Sequence, residues 1–176
     1  MKTIKLVLVV FGLSVYSGLI AQGVAGHRFV IEGADQAFEE NLTKNASVAV
    51  RVPVRAARDF ENYFEGRSVR WLQYGDTLVA RFNADSATVF LGYGKNGRRL
   101  YTVRSYSEKF LPRPVRHDVR TQFYDYRINL IYEVQIAPFR TKSYVIYISD
   151  DQHNVKVVRW SDAGLEMVKD SKRQKA

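Results

Sequence analysis

Cysteine is absent from this 176-residue chain. A lipoprotein anchor needs a cysteine at its cleavage site, so that mode of attachment is excluded. Disulfides are excluded too, as is a thiol nucleophile. The folded part must be held by its core alone. Catalytic signatures are equally scarce. No Gly-x-Ser-x-Gly elbow occurs. The three histidines, His27, His117 and His153, stand far apart, with no second ligand at metal spacing. Asp150 and Asp151 are followed by Gln152, His153 and Asn154, which lack the alternating acids and closing Glu of a calcium loop. No acidic pair stands out as an acid–base couple. The expectation is therefore no enzyme, no cofactor and no metal. A small-molecule hydrolase on an α+β scaffold is kept as an alternative, and it requires a deep polar pocket.

A long membrane-spanning run is also missing. Met1 to Lys5 carry two lysines and no acid, and Leu6 to Ala21 are almost entirely apolar. The small residues Ala21 and Ala25 follow. The apolar run is about 16 residues, short of the roughly 20 a spanning helix needs. Basic start, apolar middle and small residues make a signal peptide over 1–21, cut after Ala21 with Ala25 as the second candidate, and an uncleaved anchor is the alternative. The expected location is periplasmic or secreted, with no transmembrane segment after cleavage. Residues 22–52 read as an N-terminal extension, with short strands at His27–Ile31 and Ser47–Val52 and a polar segment at Ala34–Asn45 that is either a short helix or a mobile arm. Asn41-Leu-Thr and Asn45-Ala-Ser match the glycosylation pattern but read as chance matches.

Acids are outnumbered. Lys and Arg total 27 against 18 Asp and Glu, giving a net charge of +9 and a pI near 9.8. Removing Lys2 and Lys5 with the leader leaves the balance strongly basic. Such a protein suits an acidic protein, an anionic glycan, a membrane surface or nucleic acid. Nucleic acid is disfavoured for an exported chain. Aromatic residues make up 13% of the chain, with eleven Tyr and ten Phe. Tyr and Arg are the types most enriched at recognition surfaces.

What is present is an order that looks doubled. Pro53 and Gly66 bracket a helix ending at Phe64, with Ala57, Phe60 and Phe64 on its apolar side. Alternating segments follow at Val69–Tyr74, Leu78–Phe82, Thr88–Tyr93 and Arg98–Ser105, with a hairpin turn at Asn96-Gly97. Ser107, Pro112 and Pro114 then mark the start of a second helix, striped by Leu111, Val115, Val119 and Phe123. Three more alternating runs follow, at Ile128–Ile136, Tyr144–Ile148 and Val155–Arg159, with a turn near Ala163-Gly164. Short turns between sequential strands mean antiparallel pairing. The fold class expected is α+β: tandem helix-plus-antiparallel-sheet repeats at about 53–105 and 107–168, with both helices on one face of a joined sheet. The tail, 169–176, is expected to be disordered.

Gly92-Tyr-Gly-Lys-Asn-Gly97 is a literal G-x-G-x-x-G. A dinucleotide site needs it to open a helix. Here strand residues follow, so it reads as a hairpin. Arg113, Arg116, His117 and Arg120 recur at helical spacing and form a basic stripe. That stripe supports an alternative reading as a polyanion or envelope-surface binder. On the strands, the face opposite the buried one is expected to carry Arg81, Arg99, Tyr93, Tyr101, Tyr147 and Trp160. Trp71 and Tyr74 complete a candidate partner-binding set. Its rings would supply contact area and its arginines would pair with acids.

In order along the chain come Trp71, Leu78-Val-Ala-Arg-Phe82, Asn96-Gly-Arg-Arg-Leu-Tyr-Thr102, Leu111-Pro112 with Val115, Tyr126-Arg-Ile128, Glu133-Val134 and Tyr144-Val-Ile-Tyr-Ile148. This order resembles the PepSY-like, beta-lactamase-inhibitor-like (BLIP-like) domains exported by Gram-negative bacteria, over roughly residues 54 to 168. The resemblance implies tandem repeats whose joined sheets form a concave surface. It also implies a non-enzymatic module that grips a protein or peptide through aromatic and polar side chains. The segment from His27 to Val52, the strong positive charge and the lack of disulfides depart from the inhibitor members.

Overall fold

The computed structural model describes residues 50–138 and 141–171. The signal peptide expected at 1–21, nearly all of the extension at 22–52 with its Asn41 and Asn45 patterns, and residues 172–176 lie outside the described residues.

Helix α1 (Val54–Phe64) is followed by strands β1 (Arg70–Tyr74), β2 (Thr77–Ala84), β3 (Ala87–Tyr93) and β4 (Arg99–Tyr106). A 3₁₀ turn (Glu108–Phe110) leads into helix α2 (Arg113–Gln122). Strands β5 (Arg127–Ile136), β6 (Lys142–Ser149), β7 (Val155–Ser161) and β8 (Gly164–Ser171) complete the described chain. All eight strands form one sheet in sequence order, each antiparallel to its neighbours.

The expected tandem of helix-plus-sheet repeats is overturned by this pairing. No boundary separates two units in the sheet. β4 and β5 pair from Tyr101↔Ile136 to Tyr106↔Ile131, across the point where the repeats were to divide. The result is one open antiparallel sheet with two helices among the described residues. The physical reason lies at the centre. Val103 faces Val134 there, and both are buried. A strand edge left unpaired at that depth would strand its backbone donors and acceptors. The second half also holds four strands where three were expected. β8 was obscured by its charges, which are cross-strand partners. Lys156 Nζ meets Asp170 at 2.7 Å and Arg159 meets Glu166 at 2.6 Å. The strand runs to Ser171, so Lys169–Ser171 belongs to the sheet rather than to a disordered tail.

Both helices pack on one side of the sheet. Pro53 precedes α1 with extended backbone, and Gly66, at φ +72°, follows its end. Ala56 and Phe60 are the buried residues of α1, with Ala57 and Phe64 only partly covered. They meet Leu78, Ala80, Phe82, Val89, Leu91 and Tyr93 from the sheet. In α2 the buried residues are Val115 and Val119, which with Leu111 pack on Ile131, Ile146 and Val158. Pro112, not Ser107, directly precedes α2, while Ser107 precedes the 3₁₀ turn.

The glycine-rich hexapeptide closes the β3–β4 hairpin. Gly94 N–H donates to the Arg98 carbonyl at 3.0 Å, and Gly97 N–H donates to the Gly94 carbonyl at 2.8 Å. Gly97 has φ +72°, and a Cβ there would lie 3.0 Å from the Ala56 nitrogen. Glycine is required twice over, by the left-handed backbone and by the first turn of α1 pressed against it.

Candidate functional site

Strand alternation sorts every sheet residue onto one of two faces. The helix-covered face carries Trp71, Ala80, Leu91, Ile131, Ile146 and Val158. The opposite face has no helix over it among the described residues. The registers place Arg70 opposite Arg81, Arg81 opposite Phe90, Gly92 opposite Tyr101, and Leu130 opposite Tyr147 on it.

The eight residues expected to bind a partner divide evenly between the faces. Tyr74, Arg81, Tyr101 and Tyr147 lie on the uncovered face. Trp71, Tyr93, Arg99 and Trp160 lie under or beside the helices, where each has a structural partner. The Trp71 ring sits 5.8 Å from that of Phe60. The Tyr93 hydroxyl donates to Asp59 at 2.9 Å, and Arg99 donates to the same carboxylate oxygen through Nε at 2.9 Å and Nη2 at 2.6 Å. Trp160 Nε1 donates to Asp118 at 2.7 Å. The signal that could have separated the two groups is an acid on the inner side of each helix. Asp59 adjoins Phe60 and Asp118 adjoins Val119. Such an acid gives polar tips on the helix-covered face somewhere to go.

The uncovered face is apolar at its base and polar above. Leu72, Val79, Phe90, Val103, Val134 and Val157 are buried there. Beside them stand rings and guanidinium groups. The Arg81 guanidinium lies 5.9 Å from the centre of the Phe90 ring. Tyr132 and Tyr147, one from β5 and one from β6, meet edge to face at 6.0 Å. The Tyr101 ring lies against Gly92 so closely that any Cβ at position 92 would overlap it. Burial pushes the Tyr101 hydroxyl up to about 12 and raises that of Tyr147. Tyr74 is raised as well, first by burial and then by its neighbour Tyr101. These phenols stay protonated at neutral pH and act as neutral hydrogen-bonding groups. The Tyr74 hydroxyl is shielded from water and has no hydrogen-bond partner among the described residues. Sequence reading missed Tyr132, Phe90 and Arg70 as members of this face.

Gly92→Ala is expected to lower stability by about 1–3 kcal/mol, because the Tyr101 ring must leave its place on the strand. Urea unfolding checks this. An unchanged midpoint would mean that the ring has a second position at no cost.

The basic stripe on α2 is divided between structure and solvent. Arg116 Nη2 donates to the carbonyls of Glu108, Lys109 and Leu111 at 2.8, 3.1 and 3.0 Å. Arg120 grips the Glu108 carboxylate at 2.8 Å and also donates to the Tyr126 carbonyl at 3.2 Å. These two arginines tie the 3₁₀ turn to the helix. Arg113 and His117 face water. Among the described residues, no cluster of His, Asp or Glu could hold a metal ion. No helix of the described residues is long and apolar enough to cross a membrane, which does not bear on crossing by strands.

No family model and no curated protein matches the sequence. Solved structures do match in fold. A DUF2874 family protein from Bacteroides ovatus ATCC 8483 is similar with a TM-score of 0.59 at 15% identity, over 69% of this chain and 88% of that one. A protein from Bacteroides eggerthii DSM 20697, provisionally described as periplasmic, matches with a TM-score of 0.58 at 12% identity, over 69% and 89%. A BLIP-like protein from Bacteroides fragilis NCTC 9343 matches with a TM-score of 0.56 at 14% identity, over 73% and 92%. At these identities the likeness establishes the fold, and the fold is BLIP-like.

Proposed function

We propose that the protein is an exported, non-enzymatic binding module of the BLIP-like, PepSY-like kind, which holds a protein or peptide against its uncovered sheet face. The observation that carries this reading is the make-up of that face. Tyr74, Arg81 and Tyr147 are half-buried on one pleated face with no described helix above it, and the buried Tyr101 ring lies on the same face. Large rings offer contact area at low entropic cost, and arginine offers a planar fork for carboxylates. The similarity to a BLIP-like protein and to one provisionally placed in the periplasm supports the same assignment of role and compartment. Trp71, Tyr93, Arg99 and Trp160 are read instead as braces between sheet and helices.

Capture from a periplasmic extract tests this. The protein should retain a defined partner, and Arg81→Ala or Tyr147→Ala should reduce its recovery at least tenfold. Trp160→Phe, on the other face, should leave recovery unchanged. Equal recovery by all three variants would remove the uncovered face as the contact. The polyanion alternative loses ground, because Arg116 and Arg120 are spent on the 3₁₀ turn and on the Tyr126 carbonyl.

A further inference from the structure

An open sheet in sequence order has two edges, and here they are unlike. β1 has five residues, and its Gln73 side chain turns onto the Gly75 carbonyl at 2.6 Å. β8 has eight residues and no proline, and it exposes Met167 (55%) and Val168 (38%) at its middle. An edge of that length presents a row of backbone donors and acceptors, which is a template for another strand. Edge charges block such pairing when nothing opposes them. On β8 they are placed to oppose one another.

The register with β7 skips Val168, so Glu166 stands opposite Arg159 while Lys169 stands opposite Val157. Arg159 and Val157 are two positions apart, which puts Glu166 and Lys169 on the same face of the sheet, the uncovered one. Consider an antiparallel second copy of β8, centred between Met167 and Val168. Glu166 then lies opposite Lys169 of the other copy, twice by symmetry. On the other face Leu165 lies opposite Asp170, an acid already held by Lys156 at 2.7 Å. All eight residues of the strand find a counterpart, because Gly164 meets Ser171. Slipping the second copy by one residue sets side chains of opposite faces against each other, and slipping it by two loses both ion pairs. Both charges are ready for this. Arg159 holds Glu166 at 2.6 Å, yet the Glu166 side chain stays 54% exposed and can accept a second cation. Lys169 has no ion-pair or hydrogen-bond partner among the described residues.

We infer that the protein associates with a second copy of itself through β8, the two sheets joining edge to edge about a two-fold axis perpendicular to them. Such a contact is self-complementary and closed, so it stops at two copies. It goes beyond the binding role proposed above and does not depend on it. Where both hold, the pair presents two uncovered faces to the same side, and a partner with two target segments is held by both.

The absence of cysteine makes the register directly testable. The test uses protein purified from the periplasmic fraction of an expressing Gram-negative host. A Glu166→Cys copy mixed with a Lys169→Cys copy should become disulfide-linked under mild oxidation, since opposed residues lie about 4.5–5.5 Å apart at Cα. The mixed pair keeps one Glu166–Lys169 contact to hold it together. Either variant alone should stay unlinked, because its two thiols would be about 10 Å apart along the strands. In sedimentation equilibrium the unchanged protein should form a dimer with a Kd on the order of 10 μM. Lys169→Glu turns two attractive pairs into two repulsive ones and should weaken association about tenfold or more, with unchanged far-ultraviolet dichroism. A monomer up to about 0.5 mM would overturn the inference. So would a Lys169→Glu variant that associates as before, or linkage in either cysteine variant alone as readily as in the mixture. A dimer whose mixed variants fail to link would place the contact elsewhere and overturn it equally.

Discussion

Phe60→Ala should cost about 3–5 kcal/mol of stability, the largest effect expected of any single truncation in α1. The ring is 1% exposed. It meets Phe82 at 5.2 Å and Trp71 at 5.8 Å, both edge to face, and Phe64 at 5.7 Å. Removing it deletes the knob by which α1 engages β1 and β2, and it leaves a cavity among rings too large to collapse into it. A domain of this size has about 5–15 kcal/mol in total, and this one has no disulfide to fall back on. Urea denaturation followed by Trp fluorescence measures the loss, since Trp71 sits on the Phe60 ring. A loss below about 1 kcal/mol with native-like fluorescence would show that α1 is not anchored through this cluster.

Alkali should unfold the protein as its buried phenols ionise. Six hydroxyls, those of Tyr74, Tyr93, Tyr101, Tyr106, Tyr144 and Tyr147, are raised above the ordinary phenol range, each first by burial. Hydrogen bonds to Asp59 and Glu133 raise Tyr93 and Tyr106 further. The folded state therefore binds these protons more tightly than the unfolded chain does. Their contribution is complete below the unfolded value near 10 and is lost as pH climbs through the folded values. Tyr101, moved from 10.0 to about 12, accounts for on the order of 2–3 kcal/mol across that window. The Tm should be flat from about pH 7 to 9.5 and fall steeply between about 10 and 12. The last part of the phenolate absorbance should appear together with the loss of far-ultraviolet dichroism, because these six hydroxyls ionise only as the fold opens. Tyr101→Phe should flatten part of the fall. Full phenolate absorbance with the dichroism intact would refute the buried-hydroxyl account.

Much of the local structure was legible in the residues. Pro53 and Gly66 bracket α1, the Leu111, Val115 and Val119 stripe is the buried side of α2, and Asn96-Gly97 is a turn. Each of these is fixed by chemistry within a few positions. What was not legible depends on distant partners. Alternation reveals which residues share a face, but not which face a helix will cover. Tyr93 and Tyr101 therefore looked equivalent, although one donates to Asp59 under α1 and the other lies on Gly92 across the sheet. The doubled pattern of helix and strands invited division into two units. Whether β4 would pair with β5 is decided by complementary strand edges, which no local window contains. β8 was missed because Glu166, Lys169 and Asp170 look like solvent residues until β7 supplies Arg159 and Lys156.

The sequence-ordered sheet has a consequence for how the molecule comes into being. Each strand's neighbour is the next one made, so no ladder has to wait for a remote stretch of polypeptide. Most closures bridge only a tight turn, which keeps their entropic penalty small. Such wiring lets the sheet zip progressively from either terminus, as a row of teeth would. The clips from Arg99 to Asp59 and from Trp160 to Asp118 span 40 and 42 positions, so each needs its helix and its strand side by side.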